Sequence, residues 1–156
     1  MKVYKHSTYN YITIVEIPKD ELQMIDMDMC AEPRQTLKQY YNSCTIKPAI
    51  ICNGGFFSME TGKPTFNYKD DNVLMSSDIS HREGMGIINN SLIFGNMDMY
   101  NFEDFISAYP VLIKSGQKVK ITTATEINYK ARRTILAYNS LYIYIIAIES
   151  PGMNFQ

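Results

Sequence analysis

The chain has 156 residues, 46% hydrophobic and 20% charged, with 16 acidic against 15 basic side chains and a net charge of −1. That length and balance fit one folded domain with a sizeable core. They exclude a strongly basic surface for nucleic acid or an anionic membrane, and no run of like charge marks a tail.

Tyr9 to Ile17 is rich in β-branched and aromatic residues, ends at Pro18 and reads as a strand. Leu22 to Met29 alternates apolar with polar residues, slipping once near Met24, which predicts a second, half-exposed strand with a bulge. Glu32-Pro33-Arg34-Gln35 opens a helix, because Pro loses nothing in a first turn. Leu37, Tyr40, Tyr41 and Cys44 then fall on one helical face, and Lys47-Pro48 stops the helix. Ala49 to Cys52 is apolar and reads as a buried strand delivering the chain to Asn53-Gly54-Gly55-Phe56-Phe57. Gly-Gly removes side chains where the backbone needs unusual dihedrals or a close neighbour. A polar residue, bare backbone and an aromatic wall at a strand end can form a binding crevice. An ordinary Gly-Gly turn gives the same pattern.

Ser58 to Asp71, with Gly62 and Pro64, reads as loop, and Val73 to Ser77 as a short strand. Asp78 to Gly84 is again loop. Gly86 to Ile88 and Ser91 to Phe94 form a hairpin about Asn89-Asn90, since Asn tolerates the positive dihedrals of tight turns. Asn101 to Ser107 reads as one or two helical turns. Ala108 to Lys114 is a strand whose Pro110 places it at an edge. Val119 to Thr123 continues as strand after a turn. A second hairpin joins Ala131 to Ala137 and Leu141 to Ile148. The latter segment is apolar on both faces and should be central and doubly covered. The sum is α+β: a mixed, mostly antiparallel sheet with one main helix. No repeat, low-complexity segment or linker divides residues 1–156, so a single domain is expected.

Twelve Tyr, ten Met and no Trp point to sheet and contact surfaces. Cys30, Cys44 and Cys52 lack metal-like spacing and read as reduced, packed thiols. The N-terminal residues carry no signal-peptide core, and Leu141 to Ile148 is too short to span a bilayer, so cytoplasmic synthesis and no membrane are expected.

Candidates for chemistry are few. His81 lies between Asp78 and Glu83 in a Gly-bounded loop, suited to acid–base work, to a metal site, or simply to a solvated loop. Arg132-Arg133-Thr134 enters a hairpin strand, where an Arg beside a crevice can fork a phosphate or carboxylate, and surface cations read the same. The carboxylate pairs Asp26/Asp28, which read as facing water, and Asp70-Asp71 are not read as catalytic. No phosphate loop, nucleophile elbow or Cys/His framework occurs. No cofactor or metal ligand set is assigned, and a divalent cation is left open.

Asn53-Gly54-Gly55-Phe56-Phe57 resembles the signature of the phosphodiester glycosidase domain. In order, Thr61-Gly62-Lys63-Pro64 resembles the family's Gly-x-Pro step, and Tyr109-Pro110-Val111-Leu112 its Gly-Pro-x-Leu strand. Arg133-Thr134-Ile135-Leu136-Ala137 is similar to its Arg-Thr-x-x-Gly strand. Leu141 to Ile148 and Ser150-Pro151-Gly152-Met153 are similar to the apolar strand and helix start that follow. The resemblance implies a carbohydrate or phosphosugar ligand bound by Asn53, Gly54, Gly55, Phe56, Phe57 and Thr134. It further implies Arg133, Glu149 and His81 as candidate catalytic residues of a glycosyl phosphodiester hydrolase. The family continues to an Asn-x-Asp-Gly-Gly-Gly-Ser segment carrying its catalytic carboxylate, and this sequence ends first. Three readings follow: an enzyme completed by a second chain, a glycan- or phosphosugar-binding module, or an assembly protein such as a virion or tail component. The last carries with it a homo-oligomer and virion association.

Overall fold

The computed structural model describes residues 1–21, 35–79, 83–120 and 130–153. Along the described chain the strands are β1 (Lys2–Lys5), β2 (Ile12–Pro18), β3 (Tyr68–Asp70), β4 (Val73–Ser76), β5 (Glu83–Ile88), β6 (Ser91–Asn96), β7 (Asp104–Ser107), β8 (Ile113–Lys114), β9 (Gln117–Lys118), β10 (Ala131–Tyr138) and β11 (Tyr142–Met153), with one α-helix, α1 (Leu37–Ser43). The architecture is α+β and mostly sheet, and every strand pair described is antiparallel. Contacts divide the chain into two compact units, one built from Met1–Gln23 and Leu112–Gln156, the other from Met24–Val111.

The first unit holds a four-stranded sheet in the order β1-β2-β11-β10. β11 is interior, as its two-sided apolar pattern requires, and pairs from Tyr142 to Ile148 with β2. Ile12 and Ile148 are opposite each other and buried; so are Ile17 and Ile143. Strand alternation puts these two pairs on opposite faces of the sheet. β10 and β11 form the second hairpin that the sequence predicts. Asn139 Oδ1 accepts from Leu141 N and Tyr142 N, both at 2.8 Å. β2 begins at Ile12 rather than Tyr9, because His6 Nδ1 accepts from Thr8 N at 3.1 Å and Tyr9 N at 3.3 Å and holds that segment in a turn. The short β8–β9 ribbon turns through Ser115 and Gly116, both at positive φ.

The second unit is a five-stranded sheet, β4-β3-β7-β5-β6. Asn89 and Asn90 take φ values of 48° and 58°, and Asp71 and Asn72 take 46° and 67°. Paired positive φ matches the twist of a two-residue hairpin, so the same device closes β5–β6 and β3–β4. β7 replaces the helical turns expected at Asn101 to Ser107. Phe102, Phe105 and Ile106 have helical spacing, but β3 and β5 flank β7 and satisfy its backbone on both sides. Those three side chains, with Ile87, form the core. The strand expected over Ala108 to Lys114 shrinks to Ile113–Lys114, after a cis Tyr109–Pro110 bond. Val119 and Lys120 lie outside any strand. The Leu22 to Met29 strand and the Glu32-Pro33-Arg34 helix start fall outside the described residues.

α1 starts at a capping box: Thr36 Oγ1 accepts from Gln39 N at 3.2 Å, while Gln39 Oε1 accepts from Thr36 N at 2.9 Å. Lys47 ends it by donating to the carbonyls of Tyr41, Asn42 and Cys44, each at 2.8 Å.

Gly86 faces Phe105 across the sheet, and a Cβ there would lie 2.1 Å from Phe102 Cδ1. Gly86→Ala is expected to destabilise the protein by about 1–3 kcal/mol through overpacking. At Gly95 the nearest atom to an added Cβ is 3.8 Å away, so Gly95→Ala serves as the tolerated control. Urea unfolding of the two variants checks this, and equal midpoints would contradict it.

Candidate functional site

Ala49 to Cys52 does not form the expected strand; residues 49–54 lie outside regular structure. The physical reason is that β7 already has a neighbour on each side, so the segment packs on a sheet face instead of joining its plane. Ile50, Ile51 and Cys52 are half-buried, and Asn53 is exposed. Gly54 and Gly55 then press on Ile106 of β7. A Cβ at Gly54 would lie 2.5 Å from Ile106 Cδ1, and one at Gly55 would lie 3.0 Å from Ile106 Cγ1. Neither glycine takes a positive φ. The Gly pair therefore serves close approach, not a left-handed turn.

The next residues fold back on themselves. Thr65 N donates to Phe56 O at 3.0 Å, Ser58 N to Lys63 O at 2.8 Å, and Gly62 N to Ser58 O at 2.8 Å. Phe57 bridges to Pro64. Thr61-Gly62-Lys63-Pro64 is thus the tip and return arm of this loop, with Gly62 at φ 75°. Phe56 packs edge-on to Phe66, ring centroids 5.0 Å apart. Phe56 and Phe57 nevertheless remain 43% and 50% exposed. Beside Phe56 a hollow of about 10 Å³, no more than a water fills, is lined by Gly55, Phe56, Pro64, Phe66, Ile106 and Ser107, among others. That is well below the ~300–1,000 Å³ of an enclosing small-molecule pocket. A ligand here would lie on the surface, across the exposed rings. Among the described residues, neither the Gly54 nor the Gly55 amide meets an acceptor.

One residue that the sequence did not single out anchors this region. Asn67 is buried, donates to Asp78 O at 2.9 Å and Ser107 Oγ at 3.3 Å, and accepts from Asp78 N at 2.8 Å. It ties the loop after β4 to the end of β7. A lone Asn beside a Phe and a Tyr gave no sequence signal, because its partners lie 11 and 40 positions away. Asp70 and Asp71 also gain a companion, Asp104, with carboxylate oxygens all within 4.8 Å of one another. Asp104 is buried and accepts from Asp71 N at 2.8 Å. Carboxylate oxygens at that spacing are a ligand type suited to a hard divalent cation.

Arg133, Thr134 and Glu149 belong to the other unit. Arg133 is half-buried on β10, just after a register shift, and lies opposite Ile148; Thr134 is exposed and lies opposite Ala147. Neighbours on a strand point to opposite faces. Arg133 therefore shares the face of Ile12 and Ile148. Glu149 shares the other face, where Lys5 Nζ lies 3.7 Å from its carboxylate and donates to Thr13 Oγ1 at 2.7 Å. Within this sheet Arg133 and Glu149 do not converge. His81 lies outside the described residues. No described helix is long and apolar enough to cross a membrane.

No protein-family model, curated protein or solved structure matches the chain.

Two outcomes follow from the packing at Gly54. Gly54→Ala is expected to cost about 1–3 kcal/mol by crowding a well-packed core side chain. Ile106→Val removes the atom it strikes, so in a double-mutant cycle the pair should cost less than the sum of the singles. Strict additivity in urea unfolding would contradict the contact. Separately, burial pushes the Cys52 thiol pKa up. A raised pKa leaves less thiolate at pH 8, so Cys52 should alkylate with iodoacetamide more slowly than free cysteine. Mass spectrometry of a timed reaction checks this, and a rate equal to free cysteine would overturn it.

Proposed function

We propose that the chain is a phosphodiester glycosidase-like protein that binds a glycan or sugar phosphodiester at Asn53 to Phe57. The observation that carries this reading is the pair of exposed rings, Phe56 and Phe57, fixed by a hydrogen-bonded loop beside the Asn53-Gly54-Gly55 backbone. Each part has a chemical use. A Phe ring offers a rigid apolar platform at low entropic cost, suited to the C–H face of a sugar. The Asn53 amide can donate to and accept from hydroxyls. The Gly54 and Gly55 N–H groups can donate to a phosphate oxygen, as consecutive backbone amides do in anion-binding loops. The motif resemblance points to the same ligand class.

Binding rather than turnover is the function that this arrangement supports. Arg133 and Glu149 lie on opposite faces of their sheet, whereas glycoside hydrolysis needs its acid and its charge-stabilising group around one bond.

Saturation-transfer NMR with UDP-N-acetylglucosamine, a sugar phosphodiester, tests the reading. Signal on the sugar protons is expected with the wild-type chain. Phe57→Ala should weaken it about tenfold, the scale of losing one stacked ring. Arg133→Ala should leave it unchanged. Absence of any transfer across a panel of sugar phosphates and neutral glycans would end the binding reading. Sugar release that disappears in Arg133→Ala would replace it with the hydrolase.

A further inference from the structure

An asparagine followed by glycine is prone to spontaneous ring closure, because glycine has no side chain to hinder its own backbone nitrogen. Asn53-Gly54 is the one Asn-Gly step in the sequence. Serine is the next smallest residue to follow an Asn here, at Asn42-Ser43, Asn90-Ser91 and Asn139-Ser140. The fold restrains those three. Asn42 lies in α1, and Asn90 holds a hairpin turn at φ 58°. Asn139 is bound at both ends of its side-chain amide: Oδ1 accepts from Leu141 N and Tyr142 N, and Nδ2 donates to Tyr144 Oη at 3.3 Å. Asn53 has none of these restraints. It is exposed and lies outside regular structure. Among the described residues its side chain has no hydrogen-bond partner, and the Gly54 amide meets no acceptor.

We propose that Asn53 is a self-modifying site, at which the Gly54 nitrogen converts the Asn53 amide to a carboxylate through a cyclic imide. The Gly54 nitrogen bonds to Asn53 Cγ and gives up its proton. The Cγ–Nδ2 bond breaks, and ammonia leaves with that proton. Water then adds to one of the two ring carbonyls. Opening the Cγ–N bond gives aspartate. Opening the bond between the Asn53 main-chain carbonyl carbon and the nitrogen gives isoaspartate, with the chain running on through Cγ. No electrons are exchanged, and water is the one co-reactant. Attack needs the nitrogen deprotonated, so the rate should rise with pH.

Both products add a negative charge to a chain of net charge −1. They differ in packing. Isoaspartate adds a carbon to the main chain immediately before Gly54, where an added Cβ would already lie 2.5 Å from Ile106 Cδ1. Ile106 is buried, and a close-packed interior yields little to such a shift. Aspartate leaves the backbone as it is. A carboxylate beside the Gly54 and Gly55 amides also opposes a phosphodiester there by like-charge repulsion. That last consequence rests on the binding reading above; the modification does not.

Peptide mass spectrometry of the wild-type chain, held at mildly alkaline pH and sampled over days, tests this, with the same chain in urea as the unfolded reference. In the folded chain Asn53 should convert within about tenfold of its unfolded rate, since no structure has to open first. Asn139 should be slowed by roughly tenfold or more on folding, because its side-chain bonds must break before it can react. Asn53→Gln should lose the acidic form at this position, because the larger ring closes far more slowly. The isoaspartate fraction, separated by ion exchange, should unfold at a lower urea midpoint than Asn53→Asp, which should match wild type. Two results would overturn the proposal: a folded-chain rate at Asn53 more than about tenfold below the unfolded one, or an acidic form that persists at this position in Asn53→Gln. An isoaspartate fraction as stable as Asn53→Asp would overturn the packing consequence.

Discussion

The burial of β7 is the constraint on which the second unit depends. Phe105 is fully buried, Phe102 nearly so, and Ile106 sits on the opposite face from Phe105. A strand covered on both faces needs neighbours that leave room. On one side Gly86 removes a side chain where Phe102 must lie, and on the other Gly54 and Gly55 let the backbone rest on Ile106. Pairing with β3 and β5 consumes the strand's own hydrogen-bonding groups. The Asn53 to Phe57 segment is therefore pressed against a finished sheet, and the two aromatic rings that follow have no core left to enter.

That outcome connects packing to function. Loop residues on a rigid support are where binding groups collect. Here the support is specific: Thr65, Ser58 and Gly62 lock the loop, and Asn67 fastens the neighbouring loop to β7. The rings are held in place while half of their surface stays in water. Burying two Phe rings would have been worth ~1.5–3 kcal/mol each, so their exposure is costly unless something else covers them. A ligand on the rings would recover part of that free energy.

The first unit is organised differently. Its sheet brings together the two ends of the described chain, with β2 from one end and β10–β11 from the other. β11 sits between β2 and β10, and its alternate residues serve two faces. That alternation separates Arg133 from Glu149, although the two are close along paired strands. Pairing distance alone does not make a catalytic pair; the parity of the strand positions decides which side chains can meet.

Much of this was written in local chemistry. Asn89-Asn90 specified the β5–β6 hairpin, because Asn tolerates positive φ, and at the β10–β11 turn the Asn139 side chain bonds the turn backbone. The two-sided apolar run Leu141 to Ile148 specified an interior strand, and Lys47 with Pro48 specified where α1 stops. Other features depended on partners far along the chain. Asn101 to Ser107 has helical apolar spacing and became β7 because strands on both sides paired with it. Ala49 to Cys52 is apolar enough for a strand and did not become one because no edge of β7 was open to it. The buried bonds of Asn67, the third carboxylate beside Asp70 and Asp71, and the opposite orientation of Arg133 and Glu149 belong to the same class. Sequence by itself determined the turns, the caps and the strands whose own residues satisfy them; tertiary structure decided which segments share a sheet and which face each side chain takes, because those choices rest on competition for hydrogen-bonding edges that no local pattern records.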